Sequence, residues 1–425
     1  MKAEIMGSTS GELTIQVRIP IGSSMYEGEQ VIQEALNEVG QLATGELLSR
    51  FDTDGSPIVI GKMKLTSKGQ IGKTYQTPYG AIELSRHVYQ SSEGGATYCP
   101  LEVNTRVVRS STPLFARQLS SKYARMGVTQ VQSDLEENHC RKVAKCMVQS
   151  VSEAVAEAII AKEDDWSYST NHTEAEVATV GIGMDGGLIL TTEDGWREAM
   201  TGTIVLYNNE GARLHTTYVG AAPEHGKETF LGHLEREIEI VANRYPNATR
   251  IGLADGAKCN WGFLEEYTEH QVIDFYHATQ YLKKAADAFF PNESKSQQAW
   301  MDVSCHKLKH NINGPDELLQ EMRTKARVIK GKKQRALLAS AISYFRNNKS
   351  KMPYARNVEL NLPIGSGVTE AGVKVIIKQR LCQSGMRWKE EGAAVVIRLR
   401  TMIQTVGRWG QFWAKVSQFG FPIVS

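Results

Sequence analysis

The spacing of apolar residues divides the first hundred positions into a helical stretch and a sheet. Residues 26–50 carry Val31, Ala35 and Val39 four positions apart, and this spacing predicts an amphipathic helix. Between residues 57 and 105, short runs alternate apolar and polar positions, with glycine and serine between the runs. Such alternation is typical of a small antiparallel sheet. We therefore expect an N-terminal α+β region.

Helical spacing returns in residues 112–162, where three candidate helices follow one another and Met126-Gly127 marks a turn between the first two. Arg141, Lys142 and Lys145 fall in the first turns of the third candidate helix. A helix-turn-helix whose recognition helix enters a major groove presents cations in this way. Packing of three helices without any DNA contact explains the same residues equally well.

A different pattern begins after residues 163–178, which are polar and without periodicity and therefore predict a linker. Three β-rich runs follow, and then a helix, a strand, a helix, a strand and a helix up to about residue 290. This order is that of the RNase H-like fold, a mixed sheet with helices on both faces. Other α/β folds also alternate strands and helices.

The remainder of the chain is predicted to be helical. Residues 291–360 have almost no strand signal and much charge, which favours a helical insertion. Residues 366–381 predict a helix with Ser366 as a possible N-cap, and residues 391–406 predict a buried helix that closes the fold.

The expected fold class is thus α/β. An RNase H-like mixed-sheet catalytic core would be interrupted by a helical insertion and preceded by an N-terminal α+β region and a helical, helix-turn-helix-like DNA-binding segment. The predicted boundaries are 1–110 for the α+β region, 111–170 for the helical segment, 175–290 for the first part of the core, 291–360 for the basic insertion and 361–425 for the C-terminal helices of the core.

Composition narrows the class of protein. The 425 residues are 41% hydrophobic and 23% charged, as in ordinary globular proteins. No stretch approaches the roughly 20 apolar residues that a membrane helix needs, and the N-terminus lacks the pattern of a secretion signal. We therefore expect a cytoplasmic protein with no membrane partner. The six cysteines form no CxxC pair, so neither a zinc ribbon nor a disulfide framework is indicated.

Charge is distributed unevenly along the chain. Residues 321–425 carry 20 Lys and Arg against 5 Asp and Glu, whereas the first 320 residues carry 29 against 42. A basic C-terminal quarter points to a polyanionic partner. An ordinary solvated surface is the alternative.

Two aspartates in the predicted sheet are candidates for metal binding. Asp185 interrupts the apolar run GIGMDGG, and Asp255 ends the run IGLAD just before Gly256. Acids on neighbouring central strands repel each other unless a cation neutralises them, which argues for a metal. The alternative is a turn, since Asp-Gly is a common turn dipeptide.

Glu370 is the third candidate, in the first turn of a predicted helix. Lys374 and Lys378 follow it at intervals of four on the same face. The carboxylate could hold metal while the lysines lie along a DNA backbone. An exposed Glu–Lys pair is the alternative.

The motifs MDGG, LADGAKCNW, DFYHATQYL and PIGSGVTEAGVKVIIKQRLCQSGMRW occur in this order. Together they resemble bacterial insertion-sequence transposases of the ISKra type, which are related to the mutator-like DDE transposases. The resemblance extends from about Thr77 in TPYGAIELSRHVYQ to about Arg400 in EGAAVVIRLR. Related transposases often carry cysteine pairs where this chain has residues 88–100, and here only Cys99 is present, so no zinc site is inferred.

The resemblance implies a catalytic site. Asp185, Asp255 and Glu370 would be the three acids that hold two Mg²⁺ or Mn²⁺ ions, because hydrolysis and strand transfer develop charge on both the attacking and the leaving oxygen. Asp274 and His277 match the (C/D)xxH element of the family and would support the site. As a lone histidine, His277 could equally be a structural residue.

The resemblance also implies partners. These are transposon-end DNA with terminal inverted repeats and target DNA, bound by a homodimer or higher oligomer in the nucleoid. Lys374 and Lys378, with Arg380, Arg387 and Trp388, would contact DNA, the last by stacking on an unpaired base. Alternatively, Trp388 packs under the final helix. Further DNA-contact candidates are Arg141, Lys142 and Lys145, and in the insertion Arg323, Lys325, Arg327, Lys330, Lys332, Lys333 and Arg335.

Two other functions fit the same residues. An RNase H-like nuclease or resolvase would cut DNA without joining it, and a domesticated protein would bind DNA without catalysis.

Overall fold

The computed structural model describes residues 2–170, 176–256 and 258–421, with the backbone alone for Lys2, Lys258 and Cys259. The mixed α/β class expected from the sequence is confirmed. The chain forms two compact units: the first holds residues 1–169, 398–403 and 407–425, and the second holds residues 170–397 and 404–406. In the part of the chain that the structure describes, no helix has both the length and the apolar character that a membrane crossing requires.

The first unit begins with a two-stranded hairpin, a long helix and a four-stranded antiparallel sheet. The helix begins after Ser24, whose hydroxyl accepts a hydrogen bond from the backbone N–H of Glu27 at 3.2 Å. The helix and sheet predicted for this region are confirmed. The elements are β1 (Lys2–Ser8), β2 (Leu13–Arg18), α1 (Met25–Ser49), β3 (Ile58–Ile60), β4 (Met63–Gln76), β5 (Ala81–Ser91) and β6 (Gly94–Tyr98).

Helices complete this unit. The turn predicted at Met126-Gly127 is confirmed, because one helix ends at Arg125 and the next begins at Val128. The helix after it begins at Lys145, several residues later than the apolar pattern predicts, and Cys140 has a φ of +51°. The helices are α2 (Pro100–Asn104), α3 (Pro113–Arg125), α4 (Val128–His139) and α5 (Lys145–Ala161).

Arg141 lies in the connection between α4 and α5, and its prediction as a DNA contact is wrong. The side chain is buried, with 6% of its surface exposed. Its Nη2 donates hydrogen bonds to the backbone oxygen of Thr77 at 3.1 Å and to Oε1 of Gln76 at 3.0 Å. Burial lowers the pKa of this guanidinium. A charge with such partners stabilises a crossing of the chain and is not accessible to a phosphate.

Lys142 and Lys145 are exposed, and Nζ of Lys142 lies 3.2 Å from Oε1 of Glu136. Farther along α5, the exposed positions include Glu153 and Glu157, which would repel a phosphate backbone. DNA binding by this helix stays a prediction.

The second unit is built on a five-stranded mixed sheet with the order β11-β10-β7-β8-β9. The strands β7, β8 and β9 are antiparallel to one another, whereas β10 lies parallel to both β7 and β11. The elements are β7 (Thr179–Leu190), β8 (Trp196–Tyr207), β9 (Arg213–Ala221), α6 (Glu228–Arg244), β10 (Thr249–Ala254), α7 (Lys258–Tyr267), β11 (His270–Ile273) and α8 (Phe275–Phe289).

Four helices follow, and the helical content predicted for residues 291–360 is confirmed. Leu338 and Phe345 belong to the same buried cluster as Ile182 of β7 and Leu282 of α8. These helices therefore pack on the core of the unit. They are α9 (Ser294–His310), α10 (Gly314–Ala326), α11 (Lys332–Asn348) and, after a 3₁₀ turn at Lys349–Lys351, α12 (Tyr354–Glu359).

A C-terminal helix, α13 (Gly367–Val373), covers the other face of the sheet. An added Cβ at Gly202 would meet Leu234 of α6, whereas one at Gly372 would meet Thr201 and Thr203. Because neighbouring residues of a strand point to opposite faces, α13 lies across the sheet from α6. The helices that follow in the chain are α14 (Gln379–Leu381), α15 (Glu390–Gln404) and, in the first unit, α16 (Arg408–Phe419).

The prediction of one regular helix over residues 366–381 is wrong in detail. A π-helical turn, Lys374–Lys378, separates α13 from α14. Single π turns inside helices occur often at functional sites. The last helix, α16, has no counterpart in the prediction.

Candidate active site

Asp185 lies in the middle of β7, on the face that α13 covers. It is paired in register with Thr201 of β8, and an added Cβ at Gly187, two positions along, would meet Val373 and Ile377. Residues two apart on a strand share a face. The Asp185 carboxylate is half-buried, and its Oδ1 accepts a hydrogen bond from the backbone N–H of Gly186 at 2.7 Å.

Asp255 directly follows the last residue of β10, the strand that lies beside β7, which carries Asp185. Leu253 of β10 pairs with Gly183 of β7, and both aspartates come two residues after that pair. Because the two strands are parallel, the two carboxylates lie at the same level of the sheet. The turn continues through Gly256, whose φ of +109° is a conformation that favours glycine.

The two aspartates interact electrostatically. Burial raises the pKa of Asp185 above its ordinary value, and the negative charge of Asp255 raises this pKa further. The hydrogen bond from the backbone N–H of Gly186 and the positive charge of Lys378 lower the same pKa. A half-buried acid with a second acid nearby is stabilised in its charged form by a cation, and a divalent ion with hard-oxygen preference fits that requirement.

Asp185→Asn is expected to raise the Tm of the metal-free protein at pH 8 by about 2 °C, because the amide carries no charge to repel Asp255. The folded state raises the pKa of Asp185, so the ionised group costs stability above that pKa and ceases to do so as the pH falls toward the ordinary value of 3.8. Thermal unfolding in EDTA at several pH values measures this. Glu193→Gln, at an exposed carboxylate, is the control, and a lowered Tm for the Asp185 variant would contradict the proposed repulsion.

Asp274 connects the helix that carries His277 to the helix that carries Glu370. Its Oδ1 accepts a hydrogen bond from the backbone N–H of His277 at 2.7 Å and so caps the start of α8. Its Oδ2 accepts from the backbone N–H of Ser366 at 2.5 Å and from the Ser366 hydroxyl at 2.9 Å. The side chain is 2% exposed. One buried carboxylate therefore fixes the starts of both helices.

Ser366 is the N-cap residue of α13, as predicted, but its hydroxyl forms no capping hydrogen bond to that helix. It donates to Asp274 instead, so its role is to bind the two helices together.

Glu370, in the first turn of α13, faces His277. The Nδ1 atom of His277 lies 3.8 Å from Oε1 of Glu370 and 3.3 Å from Oδ1 of Asp274. Ligand atoms of these three residues all lie within 4.8 Å of one another, which is close enough to share one metal ion. His277, for which the sequence leaves a supporting and a structural role open, thus contacts both acids.

A cavity of about 670 Å³ brings the predicted residues together. All three predicted catalytic acids line it, with His277 beside them. This donor set, three carboxylates and one imidazole, suits Mg²⁺ or Mn²⁺. The lining residues are Asp185, Asp255, Tyr276, His277, Gln280, Glu370, Val373, Lys374, Lys378 and Gln379.

Lys374 and Lys378 lie at the two ends of the π-helical turn, are exposed, and line the cavity as the sequence predicts. Ile376 and Ile377 between the lysines are buried, and Ile377 faces Gly187 of β7. The turn thus presents two cations beside three acids.

Four further cavity residues escape prediction from the sequence, namely Tyr276, Gln280, Gln379 and the apolar Val373. Tyr276 and Gln280 are four positions apart on α8 and flank His277, and Gln379 follows Lys378. Their helical spacing from His277 and Lys378 is the signal that could have found them. Because these side chains are uncharged, the sequence alone does not distinguish residues that line a cavity from ordinary surface residues.

Arg380 does not line this cavity, and its prediction as a DNA-backbone contact is wrong. It is 2% exposed, and its guanidinium carbon lies 5.1 Å from the centre of the Trp388 ring. A cation over an aromatic face stabilises packing. From its position in the predicted helix alone, Arg380 is expected to be an exposed charge.

Trp388 is half-buried and packs as the alternative interpretation expects. Its Nε1 donates a hydrogen bond to the backbone oxygen of Leu381 at 2.9 Å. An added Cβ at Gly392, in α15, would lie 3.8 Å from the ring. With Arg380 over one face, the ring has a structural role. Arg387 beside it is exposed.

The predicted basic segment of the insertion runs from the end of α10 to the start of α11. Lys325 is partly exposed and packs on the fold, since its Nζ lies 4.3 Å from the centre of the Phe289 ring and 3.2 Å from Oε1 of Glu321. We define the basic loop as the other six cations, which are exposed: Arg323, Arg327, Lys330, Lys332, Lys333 and Arg335.

The five cysteines whose side chains the structure describes are free thiols, and each is partly buried or exposed. Comparison with known proteins adds no relative: no protein-family model matches the chain, and no curated protein matches it.

Proposed function

We propose that the chain is a DNA transposase of the DDE type that cuts at transposon ends and joins them to target DNA. The observation that carries the proposal is the convergence of Asp185, Asp255 and Glu370 on one cavity from β7, from the end of β10 and from α13. The three residues lie far apart in sequence, and each has an ordinary explanation when taken alone. Shared binding of divalent ions explains why all three line one cavity.

The core is proposed to be RNase H-like. The order of three antiparallel strands, helix, strand, helix, strand and helix supports this, since it runs from β7 to α8 without interruption. Helices on both faces of the sheet support it further.

Asp185, Asp255 and Glu370 would hold the divalent ions, and bound Mg²⁺ or Mn²⁺ would supply charge to stabilise the attacking and leaving oxygens of phosphodiester transfer. The other residues bind and orient. Asp274 fixes the helix that carries Glu370, and Lys374 and Lys378 contact the phosphates that enter the cavity. Water is the first nucleophile and the freed 3′-hydroxyl the second, so the protein forms no covalent intermediate.

The test of this function is a reaction of the full chain with Mg²⁺ and labelled DNA that carries the sequences flanking its gene. Products joined to target DNA support the transposase. Cutting without joining would indicate an RNase H-like nuclease or resolvase, and binding without cutting would indicate a domesticated DNA-binding protein.

Lys330→Gln, Lys332→Gln and Lys333→Gln together are expected to weaken DNA binding, because the basic loop would neutralise three fewer phosphates. The slope of log K against log salt should become shallower by about 0.9 for each phosphate that is no longer neutralised. Binding titrations at several salt concentrations measure this slope. Lys62→Gln, Lys64→Gln and Lys68→Gln, exposed in the first unit, form the matched control. Equal slopes for the two triple variants would rule out the basic loop as a DNA-binding element.

A further inference from the structure

Tyr344, on α11, has a buried hydroxyl that finds no hydrogen-bond partner among the residues that the structure describes. Leaving a buried donor unpaired costs free energy, so such a group calls for an explanation. Nearby Tyr354 shows the usual arrangement, since its hydroxyl donates to the backbone oxygen of Ile273 at 2.9 Å. The two tyrosines therefore differ in how their hydroxyls are satisfied.

The ring of Tyr344 stacks on a second tyrosine and lies beside Gly256. It stacks on Tyr281 of α8 with 3.7 Å between the ring centres and 7° between the planes. Nζ of Lys284 lies 3.9 Å from the centre of the Tyr281 ring. A Cβ added to Gly256, the residue after Asp255, would lie 3.9 Å from Cε2 of Tyr344. The edge of the phenol ring thus lies against the turn that follows Asp255.

Burial raises the pKa of Tyr344, and the charges of Tyr281, Asp274 and Asp255 raise this pKa further. Asp255 and Asp274 are thus the two carboxylates whose negative charge contributes to this shift. A tyrosine hydroxyl is protonated at neutral pH whatever this shift, and it can donate a hydrogen bond.

We propose that Tyr344 is a positioning residue whose hydroxyl donates a hydrogen bond to the Asp255 carboxylate, directly or through one water, when that carboxylate binds a divalent ion. Carboxylates that ligate metals are commonly held by hydrogen bonds from an outer shell of residues. The Tyr344 hydroxyl is then the donor in that outer shell, and its hydrogen bond to Asp255 forms when the metal binds. This inference rests on the proposed function, because it takes Asp255 as a metal ligand.

The test compares Tyr344→Phe with Tyr281→Phe, which removes a hydroxyl from the other ring of the same stack. Mn²⁺ binding to the full chain, followed by electron paramagnetic resonance, should weaken about 10-fold in the Tyr344 variant and little in the Tyr281 variant. The metal-free Tyr344 variant should also unfold at the same or a higher Tm than the wild type, because it loses an unpaired buried hydroxyl.

Three results would overturn the inference. Mn²⁺ binding by Tyr344→Phe equal to that of the wild type would show that the hydroxyl does not act on Asp255, while leaving the proposed function intact. Weaker binding accompanied by a lowered Tm of the metal-free variant would assign the effect to structural damage. Failure of the wild type to bind Mn²⁺ at all would remove both the inference and the proposed function.

Discussion

Asp255→Asn is expected to reduce Mg²⁺-dependent cutting and joining of DNA by about 10³-fold or more, a loss that corresponds to several kcal/mol of transition-state stabilisation. The amide has nearly the shape of the carboxylate but cannot neutralise a divalent ion. Because Asp255 is only half-buried, the variant should fold. Product formation on labelled DNA is the measurement.

Two comparisons separate a loss of catalysis from a loss of DNA binding or of folding. DNA affinity of the Asp255 variant should be close to that of the wild type, since the basic loop is untouched. Asp302→Asn makes the same chemical change at an exposed position of α9 and should keep full activity. Strand transfer that persists in Asp255→Asn would exclude the proposed three-acid site.

Asp274→Ala is expected to destabilise the protein by about 3 kcal/mol, because it removes the cap of α8 and the charge-assisted hydrogen bonds to Ser366. It should also weaken Mn²⁺ binding about 10- to 100-fold, since Glu370 would no longer be held in place. Urea unfolding and a Mn²⁺ titration measure the two effects separately.

The matched control for this variant is Asp287→Ala, on the same helix. Asp287 is paired with Lys283 at 2.8 Å near the surface, and removing an exposed pair of this kind changes stability by about 0.5 kcal/mol or less. Asp274→Asn should lie between the wild type and the alanine variant, because one acceptor oxygen remains. Wild-type stability and Mn²⁺ affinity in Asp274→Ala would show that the carboxylate does not join the two helices.

Local pattern is sufficient to predict the parts of the site that belong to regular elements. Asp185 and Asp255 stand where apolar strand patterns meet glycine, and parallel pairing of β7 with β10 brings them to one level. Glu370, Lys374 and Lys378 share one helical stripe, and all three line the cavity.

What local pattern cannot predict is burial of a charge. Arg141 and Arg380 sit in basic, polar stretches, so their sequence context is that of exposed residues. Their burial depends on the carbonyl of Thr77 and the ring of Trp388, partners that only the folded chain supplies. Tyr344 escapes prediction for the same reason, because its neighbour Gly256 lies in a turn far away in the sequence.

The hydrogen bonds between Asp274 and Ser366 join residues 92 positions apart. The chain leaves the sheet at Asp274 and comes back to the same carboxylate at Ser366. The two ends of the helical segment between them are therefore held together at one point. The entropy cost of lengthening a flexible loop grows only slowly with its length. The connection between α10 and α11 can therefore grow or shrink while Glu370 stays in place, which makes that connection a part that evolution or design could exchange for a different DNA-binding loop.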